Sequence, residues 1–330
     1  MNRRSYLSGV GLTATAGVAG CLTRIGGRDD IDGPTLDAAE HMLGVGDLNT
    51  DWLYAPEDGS GYDFGFTNPN AIEAMQQRFM GIGADLYLAG SRHFLFWESV
   101  ELAEIDQLTF VDRREFDEGY EAGLLIAEGD LDHDAIIADV TSPDFRFELP
   151  VAERWTHGGF EVVLMETGDV VAVDEGVLML SFEPFRRGKE RLELVERVID
   201  ARRGERERYF DANGDLGEVH GQFDEAHIVE TGTGDRLQQA PEGALVTGEA
   251  LSIEGAFAEV TLVALFETDA DAQHATQFDP AFEELGEEAV ITDMQVRGRM
   301  TITTQRVDTD VLSPDDASFE PDPVPDPGLG

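Results

Sequence analysis

The stretch FEVVLMETGDVVAVDEGVLMLSF, residues 160–182, decides the architecture. Its three apolar or alternating runs, 160–165, 170–173 and 177–182, have the length of strands, and Thr167-Gly168-Asp169 and Asp174-Glu175-Gly176 between them are turn sequences. Consecutive hairpins are the consequence. Directly behind them, residues 189–203 place Leu192, Val195, Val198 and Ile199 on one stripe. That segment ends in Arg202-Arg203-Gly204, a basic last turn with a glycine stop, and predicts a helix.

The same pattern extends to both sides. Towards the N-terminus 48–54, 62–66, 86–97, 108–112 and 123–128 read as strands. Residues 70–79 have helical spacing behind Asn68 and Pro69, and 130–140 carry Ile136, Ile137 and Val140 behind a cap at Asp130 or Asp132. Towards the C-terminus 245–253 and 258–266 flank Glu254-Gly255 as a hairpin. A helix is expected from 269 to 285, broken or kinked at Pro280, before 290–296 pairs with 300–307 across Arg297-Gly298. Strand, strand, helix, strand, strand recurs loosely. The expected fold class is α+β: antiparallel sheets with helices on one face, in two loosely repeated ferredoxin-like units. The expected division is 1–20, 21–45, a first α+β domain over 46–235, a second smaller unit over 236–312, and a tail over 313–330. That tail holds Pro314, Pro321, Pro323, Pro325 and Pro327 among acids, a composition that predicts disorder.

The first twenty residues have a basic start at Arg3 and Arg4, an apolar stretch rich in Gly and Ala, and a small-residue exit at Val18-Ala19-Gly20-Cys21. These are the three parts of an export signal. The stretch is shorter than the roughly 20 apolar residues a membrane-spanning helix needs. Arg3-Arg4 followed by Tyr6-Leu7 resembles the twin-arginine export signal, and Val-Ala-Gly-Cys resembles the lipobox of lipoproteins. The resemblance implies that Cys21, the sole cysteine, becomes the lipid-modified first residue of a mature chain held at the outer face of the cytoplasmic membrane. Residues 22–34 would then be a polar tether. Gly9-Val10-Gly11-Leu12-Thr13-Ala14 imitates a dinucleotide fingerprint but follows no strand and lies inside the segment expected to be removed.

Lys and Arg number 23 against 68 Asp and Glu, a formal net charge of −45, and Lys189 is the single lysine. Such a shell repels itself in dilute buffer, whereas at molar salt the Debye length falls to about 3 Å. Scarce lysine with abundant acid resembles the proteins of salt-loving archaea. Val198-Ile199-Asp200-Ala201-Arg202-Arg203-Gly204-Glu205 with Arg208-Tyr209-Phe210-Asp211 resembles pieces of uncharacterised haloarchaeal exported proteins, and that resemblance implies no activity. The charge argues against nucleic acid as a partner, because phosphate binding needs clustered Lys and Arg.

One segment departs from uniform acidity. Residues 186–208 hold nine of the 23 cations, among them Arg186, Arg187, Lys189 and Arg191. Either this helix lies on the acidic body and pairs with it, as Glu193 and Arg197 would at i,i+4 spacing, or it is a docking patch for an acidic partner or anionic lipid. Asp211, Asn213 and Asp215 match the first three ligand positions of a calcium loop, but Leu216 stands where the turn needs glycine and Gln222 where a bidentate Glu belongs. An ordinary turn is the leading reading there.

The histidines, His133 among them, form neither HxxxH nor HExxH. Gly59-Ser60-Gly61 lacks the spacing of a nucleophile elbow, and Gly188-Lys189 lacks the first glycine and the Ser or Thr of a phosphate loop. Trp52, Tyr54, Tyr62, Phe64, Phe66, Phe94, Phe96 and Trp97 could line a groove for a flat ligand, with a sheet's inner face as the leading reading. No cofactor or metal and no catalytic residue is expected. The function read from the sequence is a lipid-anchored extracytoplasmic protein of a halophile with a non-catalytic binding or envelope role, its protein partner unidentified. The alternatives are a solute-binding lipoprotein of a transporter and a hydrolase with an unrecognised site.

Overall fold

The structure, a computed structural model, describes residues 43–57, 61–69, 99–101, 104–114, 121–142, 150–182, 188–233, 241–254, 257–275 and 290–308. The expected helix at 70–79 and strand at 86–97 lie outside these residues, as do the export signal, most of the tether and the tail. The strands are β1 (Leu43–Gly44), β2 (Tyr62–Thr67), β3 (Ile105–Arg114), β4 (Glu121–Gly129), β5 (Val151–His157), β6 (Phe160–Met165) and β7 (Val170–Asp174). They continue as β8 (Val177–Phe182), β9 (Glu225–Ala226), β10 (Ile228–Thr233), β11 (Ala244–Glu254), β12 (Phe257–Phe266), β13 (Val290–Arg297) and β14 (Met300–Asp308). The helices are α1 (His133–Val140), α2 (Gly188–Arg202), α3 (Tyr209–Ala212), α4 (Gly214–His220) and α5 (Asp269–Ala275).

Twelve strands form one sheet in the order β13-β14-β12-β11-β10-β2-β3-β4-β8-β7-β6-β5, and β1 with β9 forms a small second one. Every neighbouring pair is antiparallel. Mostly antiparallel sheet with few helices is the expected α+β class. Strands β10 and β11, on either side of the undescribed residues 234–240, pair from Ile228↔Leu251 to Thr233↔Val246.

Period-2 alternation sorts the side chains onto two faces. On the first face lie Phe64, Phe66, Val111, Leu124, Ile126, Met179, Ala172 and Val162, continuing through Val229, Ala250, Val263 and Ile302. That face is covered by α2, α3, α4 and the 3-10 turn Thr50–Trp52, with Leu194, Val198, Leu216 and Trp52 in the same cluster. On the second face Leu108, Leu125, Leu178, Leu180, Val171 and Val173 pack with Ile136, Ile137 and Val140 of α1. Further along, Ala264 and Phe266 pack with Ala272 of α5. Helices on a single face, the arrangement expected from the sequence, are therefore corrected to helices on both. The reason is visible in β7: Val170, Val171, Ala172 and Val173 are all buried, so water can meet neither side.

Two local readings also change. Residues 48–54 form no strand: Thr50–Trp52 is a 3-10 turn, and Tyr54 makes an isolated bridge to Arg208. Strands β5 and β10 were not expected. Of the two caps offered for α1, Asp132 is the one used, accepting from the Ala135 N–H at 3.0 Å.

Where α4 crosses the sheet it does so over Gly248, and a Cβ there would stand 2.6 Å from Val219 Cγ1 and 3.0 Å from the Phe223 ring. Both neighbours belong to the core, so neither can swing away. Gly248→Ala is expected to cost about 1–3 kcal/mol by overpacking. Urea unfolding monitored by Trp fluorescence checks it, with Gly46→Ala, which meets no atom within 4 Å, as the neutral control.

Candidate functional site

Helix α2 carries the basic segment, and the structure shows what its arginines do. Arg191 is 3% exposed and its Nη1 donates to Asp169 Oδ1. Asp169 sits in the turn between β6 and β7, where its own carbonyl accepts from the Met165 N–H at 2.9 Å and its carboxylate accepts from Thr167 Oγ1 at 2.7 Å. Arg197 meets Glu193 at 3.8 Å, Arg202 and Arg208 both meet Asp51, Arg203 meets Glu205, and Arg206 meets Glu57. These cations pair within the body itself. Arg191 is an interior group with no surface to offer a partner; Arg186 and Arg187 lie outside the described residues, and Lys189 is placed in α2.

The C-terminal end of α2 closes over a half-buried carboxylate. Glu128, at the end of β4, accepts from Asn49 Nδ2 at 2.5 Å and Trp52 Nε1 at 2.9 Å, with Gln107 Nε2 at 3.4 Å. Arg202 lies 5.0 Å over the Trp52 ring and donates to Asn49 Oδ1 at 3.3 Å. Burial pushes the Glu128 carboxyl up from its ordinary value, while the Trp52 and Asn49 hydrogen bonds and the Arg202 charge pull it back. The cluster fastens the 3-10 turn to the sheet.

A second carboxylate feature lies on the other face. Glu230 and Glu249 stand directly opposite each other in the β10–β11 ladder, beside Gly65 of β2. A Cβ on Gly65 would come within 3.3 Å of Glu230 Cγ, so glycine makes room for the acid's stem. Burial raises the Glu230 carboxyl above its ordinary value. Like charges facing across a ladder repel, and a proton retained by one of them relieves the repulsion.

Histidine 220 ends α4 inside a ring of aromatics. Phe64 stacks on it at 6.0 Å, Phe66, Phe210 and Phe223 meet it edge to face, and its Nε2 sits 2.9 Å from Thr231 Oγ1. Burial lowers its pKa from 6.5 to about 4.

The calcium candidate resolves into capping and pairing. Asn213 Oδ1 accepts from the Asp215 N–H at 3.2 Å as the cap of α4, Asp215 binds Arg299 at 2.6 Å, and Asp211 is exposed. Among the described residues no three His, Cys, Asp or Glu side chains converge as a metal set. His133 is half-buried, 3.1 Å from Asp134 and 3.8 Å from Glu161. Trp52, Tyr54, Tyr62, Phe64 and Phe66 are core residues, each 1% exposed. Phe94, Phe96, Trp97, Cys21, Arg3 and Arg4 lie outside the described residues.

Sequence reading missed Glu128, Glu230 with Glu249, and His220. Only His220 left a signal, one turn beyond Leu216 and beside Val219 on the apolar side of its helix.

No protein-family model matches the chain, and no curated protein matches it. Among solved structures, three crystal forms of TP0453 are similar to this chain. Form III has a TM-score of 0.43 at 10% identity and covers 81% of this chain and 97% of that one. Form I gives 0.41 at 8%, covering 80% and 94%, and form IV gives 0.44 at 10%, covering 84% and 97%.

Two measurements follow from these interiors. Because the folded pKa of His220 lies below its unfolded value, the unfolded chain takes up the proton first. Stability is then lost as pH falls from about 6.5 through about 4 and levels off below. The full effect is ~3 kcal/mol, and His220→Phe should flatten that part of a pH series of urea melts. For the α2 pair, Asp169→Ala strands the Arg191 guanidinium, whose Nε already lacks a partner among the described residues, and should cost about 3 kcal/mol. Arg191→Met strands no charge and should cost less in the same melts.

Proposed function

We propose that this chain is an exported, lipid-anchored protein of a salt-adapted cell, standing outside the cytoplasmic membrane in a non-catalytic binding or envelope role. The carrying observation is Val18-Ala19-Gly20-Cys21, with the only cysteine at its end, behind Arg3-Arg4 and an apolar stretch. The net charge of −45 with a single lysine supports the salt-adapted part. Arginines spent on the body's own carboxylates support a membrane tie made through Cys21 rather than through the basic helix. The further idea of two ferredoxin-like units rests on the order hairpin, helix, hairpin in β11, β12, α5, β13 and β14. In the order β11-β12-β14-β13, β12 and β13 run parallel with β14 between them, so β12, α5 and β13 stand as in the split βαβ of such a unit, which supports that reading for this part of the chain.

Expressed in a salt-loving host, the protein should fractionate with membranes and give an intact mass that starts at residue 21 and includes lipid. Cys21→Ser should release it to the medium. Recovery of the unmodified chain, Met1 included, from the cell interior would overturn the proposal. Unfolding midpoints that do not rise from dilute buffer to molar salt would remove its salt-adapted part.

A further inference from the structure

Strand β13 is one edge of the twelve-stranded sheet, and among the described residues β14 is its only strand neighbour. Among the described residues, four of the six large apolar side chains left exposed lie on it: Val290 at 62%, Ile291 at 44%, Met294 at 38% and Val296 at 38%. The hairpin is also where the acid shell gives way. Residues 290–306 contain one acid, Asp293, against Arg297, Arg299 and Arg306, in a chain with 68 acids and 23 cations. An apolar, unpaired edge is a template for another strand, and folded proteins ordinarily break or charge such edges.

The sequence of the edge selects the strand that fits. Asp293-Met294-Gln295-Val296-Arg297 is self-complementary about Gln295 when read antiparallel to itself. Asp293 then faces Arg297 of a second copy twice, Met294 faces Val296 twice, and Gln295 faces its own equivalent. The faces agree with this register. Asp293, Gln295 and Arg297 already share one face: Gln295 Nε2 donates to Asp293 Oδ2, and Arg297 Nε donates to Gln295 Oε1 at 2.9 Å. Arg297 also donates to Gln222 Oε1 at 3.4 Å, so its neighbours here are amides. Met294 and Val296 stand on the other face, opposite Thr303 and Thr301 of β14. Both a polar and an apolar ladder would therefore run on across the two-fold axis, each with complementary partners.

We propose that β13 pairs antiparallel with β13 of a second copy about Gln295, joining two twelve-stranded sheets into one. A two-fold axis makes each contact occur twice, which is the usual geometry of a homodimer. The apolar ladder strengthens in the salt that screens repulsion between two very negative bodies. Opposite-charge cross-strand pairs add a modest term at contact distance, where screening is weakest.

The test uses the full-length Cys21→Ser form, free of other thiols. Gln295→Cys puts two sulfurs on the axis at a Cα separation of about 4.5–5.5 Å, within the range a disulfide spans. Under mild oxidant at molar salt it should cross-link at least ~tenfold faster than Glu267→Cys, an exposed site away from the axis. Light scattering should find a dimer of the unsubstituted chain, a monomer for Arg297→Asp, and a dimer again for Asp293→Arg with Arg297→Asp. Cross-linking no faster than the control overturns the proposal, and so does a double variant that stays monomeric. Binding of the monomer to anionic vesicles through this hairpin, without dimers, likewise overturns it.

Discussion

Strands β4, β7 and β8 are apolar on both faces, and neither face can be left to water. In β7 the four residues Val170 to Val173 are buried in alternation against two different layers. At roughly 25 cal/mol per Å² of apolar surface, leaving one layer off would forfeit more than the net stability of an ordinary domain. The cover on each side is therefore obligatory, and the rest of the structure can be understood as the means of holding it in place. On the first face α2 runs over β4, β6, β7 and β8; on the second α1 packs on β7. Burial supplies the force, and it is indifferent to direction. Polar contacts decide where each covering element stops.

Those contacts are where the few cations go. Arg191 anchors α2 to the β6–β7 turn through Asp169, Arg202 joins its far end to Asn49, Asp51 and Trp52, and Arg208 adds a second bond to Asp51. Single exposed ion pairs contribute little, and less in salt. Arg191 is different because it is buried, and half-buried Glu128 is held by its Trp52 and Asn49 donors. In a body this acidic, arginine near the surface mainly relieves local repulsion, while arginine at the interior boundary fixes position. The described arginines of this basic segment thus have partners in the body's own carboxylates.

Much of the sheet was legible because its periodicity is strong. The meander of β6, β7 and β8, the stripe of α2, and the hairpins β11–β12 and β13–β14 all follow from alternation and turn glycines. Strand β5, Val-Ala-Glu-Arg-Trp-Thr-His, escaped because an edge strand needs no apolar face and shows none. Strand β10 escaped because Glu230 and Gly232 interrupt its pattern, and the reason for the acid lies across the ladder, in Gly65 and Glu249. The Glu128 cluster could not be read at all: Asn49 and Trp52 reach it from 79 and 76 residues away in sequence. Residues 48–54 look like a strand for the same reason, their apolar side chains being demanded by a distant core rather than by a ladder of their own. Helices on one face were expected because α2 is the strongest helical signal; the short α1 and α5 carry too few residues to announce a second layer.

The two ends of the sheet contrast in a way that bears on β13. At the β5 edge Val151 alone is a large exposed apolar residue, Arg154 pairs with Glu161 of β6, and His157 is held by Asp200 of α2 at 2.8 Å. Charge and a helix contact turn that edge back onto its own body, which is how folded proteins usually prevent strand addition. At the other end the polar residues of β13 bond along their own strand, from Asp293 through Gln295 to Arg297, with Arg297 also reaching the Gln222 amide, and Ile291, Met294 and Val296 stay exposed. A register irregularity between Ile291 and Asp293 confines the regular part of the edge to the five residues that are complementary to themselves. A sequence under pressure only to stay monomeric had a charged solution available at no cost to the core, because none of these positions is buried. That β5 uses it and β13 does not is the asymmetry a partner at β13 explains.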